Sequence, residues 1–412
     1  MRLFGKIHRT VLKALPAMAM LPALLFTAGC ERKPLYLRVS EAEIEVAVYD
    51  VRLELMWGIN WETRWQYQWD ELSSQYGPLG YTKPSYVRAT VYNLDAASKV
   101  RNNYFTRNFT IGGGRVSLVP GNWYDMLFFN SGTEYILFNQ SEKLDYYNVS
   151  TRTSTLPTYM NADAAAPAGD RQYPDTARTY TSYNQPDELF GIMLNKLDIS
   201  EDPNDYRKEF DENGNPVYIY NITADLSPYT FIYLIQIMVT NNSDSVGTRI
   251  RGAAGLTVTG MAQGTDVFTR SNWHNTIAVT SDDVKPLQTG RSLTLPDSTQ
   301  VTGDVMACRL LTWGLPGIDP IKAMTRATRV AEEDRNYIGI GLTLRNGHTY
   351  NITRDITDQM HENPAGGVIT IVVNAGDIPP AALEDKPSPQ GGGGFNAKVE
   401  DWNKEVDAEI VI

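Results

Sequence analysis

Residues 107–130 read RNFTIGGGRVSLVPGNWYDMLFFN, and the spacing of turn residues in this stretch decides the fold class. Glycines at 112–114 and the Pro120-Gly121 pair cut it into apolar segments too short for a helix. Within the middle segment Val116 and Leu118 alternate with Arg115 and Ser117, the period of a half-buried strand. The stretch therefore reads as strand, glycine turn, strand, Pro-Gly turn, strand. Short strands at that spacing imply a β-sandwich or barrel.

The pattern continues outward in both directions. SYVRATVYNL (85–94) alternates, and EIEVAVYDVRLELMW (43–57) carries Val51, Leu53, Leu55 and Trp57 against Arg52, Glu54 and Met56. LSPYTFIYLIQIMVTN (226–241) is continuously apolar and rich in β-branched and aromatic residues, which fits a strand buried on both faces. AAGLTVTGMAQGTDVF (253–268) reads as strand, glycine turn, strand. Residues 300–315, 337–357 and 366–378 are again β-rich, with Asn346-Gly347 marking a hairpin. Residues 151–185, rich in Ser, Thr, Ala, Pro and Tyr, lack an apolar face and read as a long surface excursion.

With 412 residues, 23 Tyr and only 2 Cys, the chain is expected to be all-β, with few helices and no disulfide framework. Two β-sandwich domains are expected, at 44–205 and 206–412.

The start of the chain carries an address. Arg2, Lys6, Arg9 and Lys13 precede the apolar run ALPAMAMLPALLF, and TAGC ends it at Cys30. This is the pattern of a bacterial lipoprotein leader over 1–29, with the Cys30 thiol as the lipidation site. Pro16 and Pro22 interrupt the run, which is shorter than the ~20 residues a membrane-spanning helix needs. Residues 30–43 then form a lipidated tether. The leader holds four of the 37 Lys/Arg and none of the 48 Asp/Glu, so its loss makes the net charge four units more negative than −11. Such acidity excludes nucleic acid as a partner; membrane attachment is expected through the lipid.

Residues for chemistry are sparse. After the leader His274, His348 and His361 remain, none in a motif with a mechanical role, and no catalytic residue is assigned. Gly112–Arg115 lacks the Lys-Ser/Thr of a phosphate loop and reads as a hairpin turn. Cys308 reads as a buried small residue, and Glu332, Glu333 and Asp334 as a solvated run. Asp211, Asn213 and Asn215 imitate the start of a calcium loop, but Pro216 stands where glycine is required and no Glu follows at the twelfth place. DENGNP is therefore a turn, and neither metal nor cofactor is expected.

Two features remain. Trp57, Trp61, Trp65 and Trp69 recur every four residues and form either a platform for sugar rings or a structural set closing the end of the first sandwich. At the far end, Gly391–Gly394 precede FNAKVEDWNKEVDAEIVI, where Val399, Trp402, Val406, Ile410 and Ile412 suit a terminal strand. That strand either closes the second sandwich or is donated to a neighbour.

The lipobox at Cys30, VRLELMW, VPGNWYDMLFFN, GLTVTGMAQGTDVF and the closing FNAKVEDWNKEVDAEIVI together resemble fimbrillin-type lipoproteins, the type V pilus subunits and anchors of Gram-negative anaerobes. The resemblance spans nearly the whole mature chain and favours the minor-subunit and anchor branch. It implies two transthyretin-like β-sandwiches, export to the outer membrane, pilin subunits as partners and assembly by strand exchange. In that family a stalk subunit loses its first strand by cleavage after an arginine, whereas an anchor keeps its lipidated end. Arg38 and Arg52 are the cleavage candidates here. A glycan-binding surface lipoprotein using Trp61 and Trp65 is the alternative, with a glycan or host-surface ligand.

Overall fold

A computed structural model describes residues 39, 42–47, 64–94, 101–130, 132–139, 147–160, 180–295, 298–325 and 335–384. The chain is all-β, and its strands build two sandwiches in succession. Sheet 1 has the order β10 (Arg207–Phe210), β11 (Pro216–Thr223), β1 (Ala42–Ala47), β4 (Gly114–Leu118). Sheet 2 faces it with β12 (Ser227–Pro228), β9 (Phe190–Asp198), β5 (Trp123–Asn130), β2 (Tyr86–Leu94) and β3 (Arg101–Thr110). Val116, Leu118 and Ile222 of sheet 1 meet Val87, Ala89, Val91, Met126 and Phe128 of sheet 2 in a dry core.

The second sandwich pairs sheet 3 with sheet 4. Sheet 3 runs β19 (Val284–Thr294), β20 (Gln300–Thr312), β13 (Phe231–Thr240), β23 (Gly367–Asn374). Sheet 4 runs β22 (Thr349–Asp355), β21 (Tyr337–Leu344), β16 (Ile250–Ala262), β18 (Thr276–Ser281), β8 (Ser182–Tyr183). A ribbon of β14 (Ser243–Asp244) and β15 (Gly247–Thr248) and three short helices, α1 (Pro320–Thr325), α2 (Thr357–Glu362) and α3 (Pro380–Leu383), complete the described elements of this unit.

Sheet 5, β17 (Gly264–Asp266), β7 (Asn148–Thr151), β6 (Ile136–Asn139), joins the two sandwiches. Period-two alternation explains how: Tyr124, Met126 and Phe128 of β5 enter the first core, while Leu127 and Phe129 leave by the opposite face. There they bury against Ile136, Tyr147, Val149, Val267 and Trp313. β10 and β11 follow residue 206, yet their ladders place them in sheet 1.

β13 is the strand at which these layers meet. Every residue from Phe231 to Val239 is buried. Phe231, Tyr233, Ile235, Ile237 and Val239 point into the second core, whereas Ile232 and Leu234 on the other face join the first. Each fully buried Leu or Ile here contributes on the order of 2 kcal/mol by removal from water, which is why this apolar run is continuous rather than alternating.

Several local expectations are corrected by the pairing. The chain turns at Gly112–Gly114 and at Pro120-Gly121 as expected, but the glycine turn is not a hairpin. β3 and β5 belong to sheet 2 and β4 to sheet 1, so at both points the chain crosses the core to the opposing sheet. Crossing gives Phe109 and Val116 the same interior. The expected break within 253–268 falls at Gln263-Gly264, where β16 gives way to β17 of sheet 5, and β16 itself runs through Gly260, whose φ of 76° makes a bulge that shifts the register between Val258 and Met261. A Cβ at Gly260 would lie 2.5 Å from the Arg335 carbonyl oxygen.

The described ends of the 151–185 excursion are not free surface loop either. β8 pairs in parallel with β18, and Thr153 bridges Tyr183. Tyr159 is buried on sheet 4 in a slot that exists because Gly255 and Gly341 lack side chains; a Cβ at either would lie 2.4 Å from its ring. Its hydroxyl donates to the Ala254 carbonyl at 3.0 Å, and its N–H to Thr257 Oγ1 at 3.0 Å. One aromatic residue thus turns a polar segment into part of the fold.

Candidate strand-addition surfaces and the aromatic cluster

β1 is the first described strand, and it lies inside a sheet. It runs parallel to β11, with Ile44 opposite Tyr220 and Val46 opposite Ile222. It runs antiparallel to β4, with Ala42 opposite Leu118 and Val46 opposite Gly114. β1 is the only described strand connecting the β10–β11 hairpin to β4. Without it, β11 and β4 would face each other across a strand-wide gap flanked by Val116, Leu118 and Ile222 of the first core. Such a gap offers unpaired backbone groups together with apolar burial, the two things an incoming strand gains.

One other strand edge is closed by a side-chain amide. On β23, the Thr370 N–H donates to Gln359 Oε1 at 2.8 Å, and Gln359 Nε2 donates to the Thr370 carbonyl at 3.0 Å. A glutamine on α2 therefore occupies the hydrogen-bonding positions that a neighbouring strand would use. β3 and β22, at the ends of sheets 2 and 4, have no further strand beside them among the described residues.

The same amide device holds residues 64–69 against the outer face of sheet 3. Gln236, the one polar residue within the buried core of β13, accepts from the Gln66 N–H at 3.0 Å and donates to the Arg64 carbonyl at 2.6 Å. Gln288 treats Gln68 likewise, at 3.0 Å and 2.8 Å. Between these amide clamps Tyr67 is buried against Met238, Leu293, Val305 and Ala307, with its hydroxyl donating to the Pro286 carbonyl at 2.9 Å.

Trp65 and Trp69 belong to this layer. Their rings lie 6.4 Å apart, and Trp69 meets Tyr76 edge-on at 5.4 Å. Lys285, only 4% exposed, places its ammonium 5.4 Å from the Trp69 ring and 5.3 Å from that of Tyr76. It also donates to the Gln75 carbonyl at 2.6 Å and to Asp283 Oδ1 at 2.5 Å. As a structural set these tryptophans cover the outer face of sheet 3, and Trp65 packs against the first core as well. Sequence spacing missed this because the partners come from Val284–Thr312, far along the chain. Gln236, polar in FIYLIQIMV, was the available signal. Trp57 and Trp61 lie outside the described residues, as do Cys30, Arg38, Arg52, Gly391–Gly394 and the tail residues Val399, Trp402, Val406, Ile410 and Ile412.

The residues weighed for chemistry are dispersed. His274 lies before β18, His348 in the β21–β22 hairpin and His361 on α2. Cys308 is fully buried on β20, its thiol donating to Ser281 Oγ at 3.7 Å, and burial pushes its pKa up to about 12. Asp211 closes the β10–β11 turn by accepting the N–H groups of Asn213 and Asn215 at 2.9 Å and 2.7 Å. Hydrogen bonds from the Asn215 side chain and backbone hold its carboxyl below the usual range. No group of three or more His, Cys, Asp or Glu suited to a metal occurs among the described residues.

What these elements define is a class: an all-β protein of paired sandwiches. The profile of the family described as a domain of unknown function (DUF5119) matches residues 71–280, just over half of the chain, and the chain belongs to that family. No curated protein matches it. Among solved structures, a candidate adhesin from Bacteroides ovatus ATCC 8483 is similar at 14% identity and a TM-score of 0.43, covering 84% of this chain and 96% of its own. A candidate adhesin from Bacteroides thetaiotaomicron VPI-5482 has 9% identity, a TM-score of 0.38 and coverage of 81% and 92%. The fimbrial anchor protein Mfa2 from Porphyromonas gingivalis has 7% identity, a TM-score of 0.36 and coverage of 81% and 90%. These are proteins of the fimbrial and adhesin kind that the sequence resembles, and at such scores their likeness carries no argument about function.

Proposed function

We propose that the protein is a pilus-associated lipoprotein of the outer membrane, an anchor or minor structural subunit that is tethered through Cys30 and joins pilin subunits by strand addition. Adhesion is then a property of the assembled fibre, and no enzymatic step is assigned to the chain. The observation that carries the reading is the placement of β1: a strand near the start of the chain, set between β4 and β11, can be withdrawn endwise without unthreading any other described element. The gap it would leave has the backbone and apolar complement of a strand acceptor.

Chain order gives the two arginines opposite meanings. Cleavage after Arg38 leaves β1 attached and the protein closed, whereas cleavage after Arg52 severs β1 from everything that follows. An uncut chain keeps its link to Cys30 and behaves as an anchor. The test installs a specific protease site in place of Arg38 in one variant and of Arg52 in another, then adds a labelled peptide of residues 395–412. Capture of the peptide after cutting at 52, and not at 38, is the expected result. Equal capture before and after both cuts, or none after either, rejects strand addition at β1.

A further inference from the structure

We propose that the cleft between the two sandwiches binds a neutral oligosaccharide. It has a volume of about 880 Å³ and is walled by residues 82–86, Asn130, Gly132, Tyr135, 186–188 and Phe190 on one side and by 154–156, 184–185 and 280–283 on the other. The inference is independent of strand addition, because nothing from sheet 1 lines the cleft.

Two observations point to the ligand class. First, Tyr86 and Tyr135 line the cleft and are 62% and 38% exposed as residues, the only tyrosines among the large apolar residues left exposed in the described part of the chain. Exposed flat rings above a polar wall suit a pyranose, whose C–H face stacks on the ring while its hydroxyls reach the rim.

Second, the wall is rigid before any ligand arrives. Asp187 Oδ2 accepts the N–H groups of Glu134 and Tyr135 at 2.9 Å and 2.6 Å, which fixes the backbone that presents the Tyr135 ring. Glu188 accepts from the Thr82 N–H at 2.7 Å and from Arg309 at 2.5 Å, tying the 82–86 side of the cleft to β20. A preorganised site loses little conformational entropy on binding, which favours weak polyhydroxylated ligands in particular. Of the carboxylates in the lining, Glu188 is paired with Arg309 and Asp283 with Lys285, which leaves Asp187 and Asp282 against the single Lys83, a balance that disfavours uronates, sialic acids and sulfated sugars.

Calorimetric titration with maltohexaose, mannohexaose, laminarihexaose and chitohexaose, beside oligogalacturonate and oligolysine, tests the assignment on the full protein. At least one neutral hexamer is expected to bind with a Kd on the order of 0.1–1 mM, and oligogalacturonate not to bind. Tyr86→Ala with Tyr135→Ala should weaken that binding at least tenfold while circular dichroism and melting stay unchanged, and Leu72→Ala, an exposed residue elsewhere, should leave it intact. The proposal is overturned if no neutral hexamer binds at millimolar concentration, or if the tyrosine variant binds as well as the parent. It is equally overturned if oligolysine alone binds, lost on Asp282→Asn with Asp283→Asn, or if sugar binding depends on Trp65 and Trp69 instead.

Discussion

β1 and β13 occupy the same topological place in the two sandwiches. Each is the first described strand of its sheet along the chain, and each lies between one antiparallel neighbour (β4, β20) and one parallel neighbour (β11, β23). They are held differently. β13 has ten residues, nine of them buried, with one face in the second core and the other divided between the first core and the layer containing Tyr67. β1 has six residues and is joined to the rest of sheet 1 through its two ladders. A strand wrapped by three packed layers is a permanent part of its fold, whereas a short one near the chain's start is the element that exchange can replace.

The largest effect that would test this contrast is expected from Ile237→Ala in β13. Its side chain is fully buried, and truncation should cost about 2–5 kcal/mol in chemical denaturation, felt by both sandwiches. Val46→Pro in β1 removes an N–H and should cost less, about 1–3 kcal/mol. Hydrogen exchange should then speed up in β4 and β11 while β13 and β20 stay protected. Equal loss of protection in both sandwiches would erase the distinction.

Next in size is Gln236→Ala, which leaves the Gln66 N–H and the Arg64 carbonyl without their shared amide partner. A loss of about 1–3 kcal/mol is expected, with faster exchange at Gln66 and altered tryptophan fluorescence from Trp65 and Trp69. Unchanged fluorescence and exchange would mean that Tyr67 and Lys285 hold the segment by themselves.

The smallest effect near neutral pH concerns the buried phenols. Burial pushes Tyr92 and Tyr229 up to about 12 from an ordinary 10. The folded state therefore keeps protons that the unfolded chain releases, so their contribution is complete below pH 10 and falls away between about pH 10 and 12. Denaturant midpoints should be insensitive to these groups up to about pH 9 and then decline together with phenolate absorbance. A decline that begins near pH 8 would implicate other groups.

Much of the fold was legible, and the exceptions share a cause. The β13 run reads correctly because burial on both faces demands apolar residues at every position but Gln236. The DENGNP and Asn346-Gly347 hairpins read correctly because their hydrogen bonds close within five residues, Asp211 with Asn215 and Leu344 with His348. The glycine turn at 112–114 misreads because local spacing says that the chain bends, not which sheet receives the next strand. Tyr159 and the tryptophans misread for a similar reason: their partners are glycines and strands brought close only by folding. As for the surfaces, nothing near Tyr86 or Tyr135 in the sequence announces a cleft, since its other wall comes from residues 154–156 and 280–283.

Taken alone, the amino-acid order determined the all-β class, the buried central strand and the turns closed by their own residues, because alternation and turn chemistry are set by near neighbours. Tertiary structure decided that β1 sits between β4 and β11, that glutamine amides close an edge and clamp a segment to a sheet, and that two tyrosines share a cleft. Those arrangements depend on contacts between distant parts of the chain, and only the assembled core fixes which parts meet.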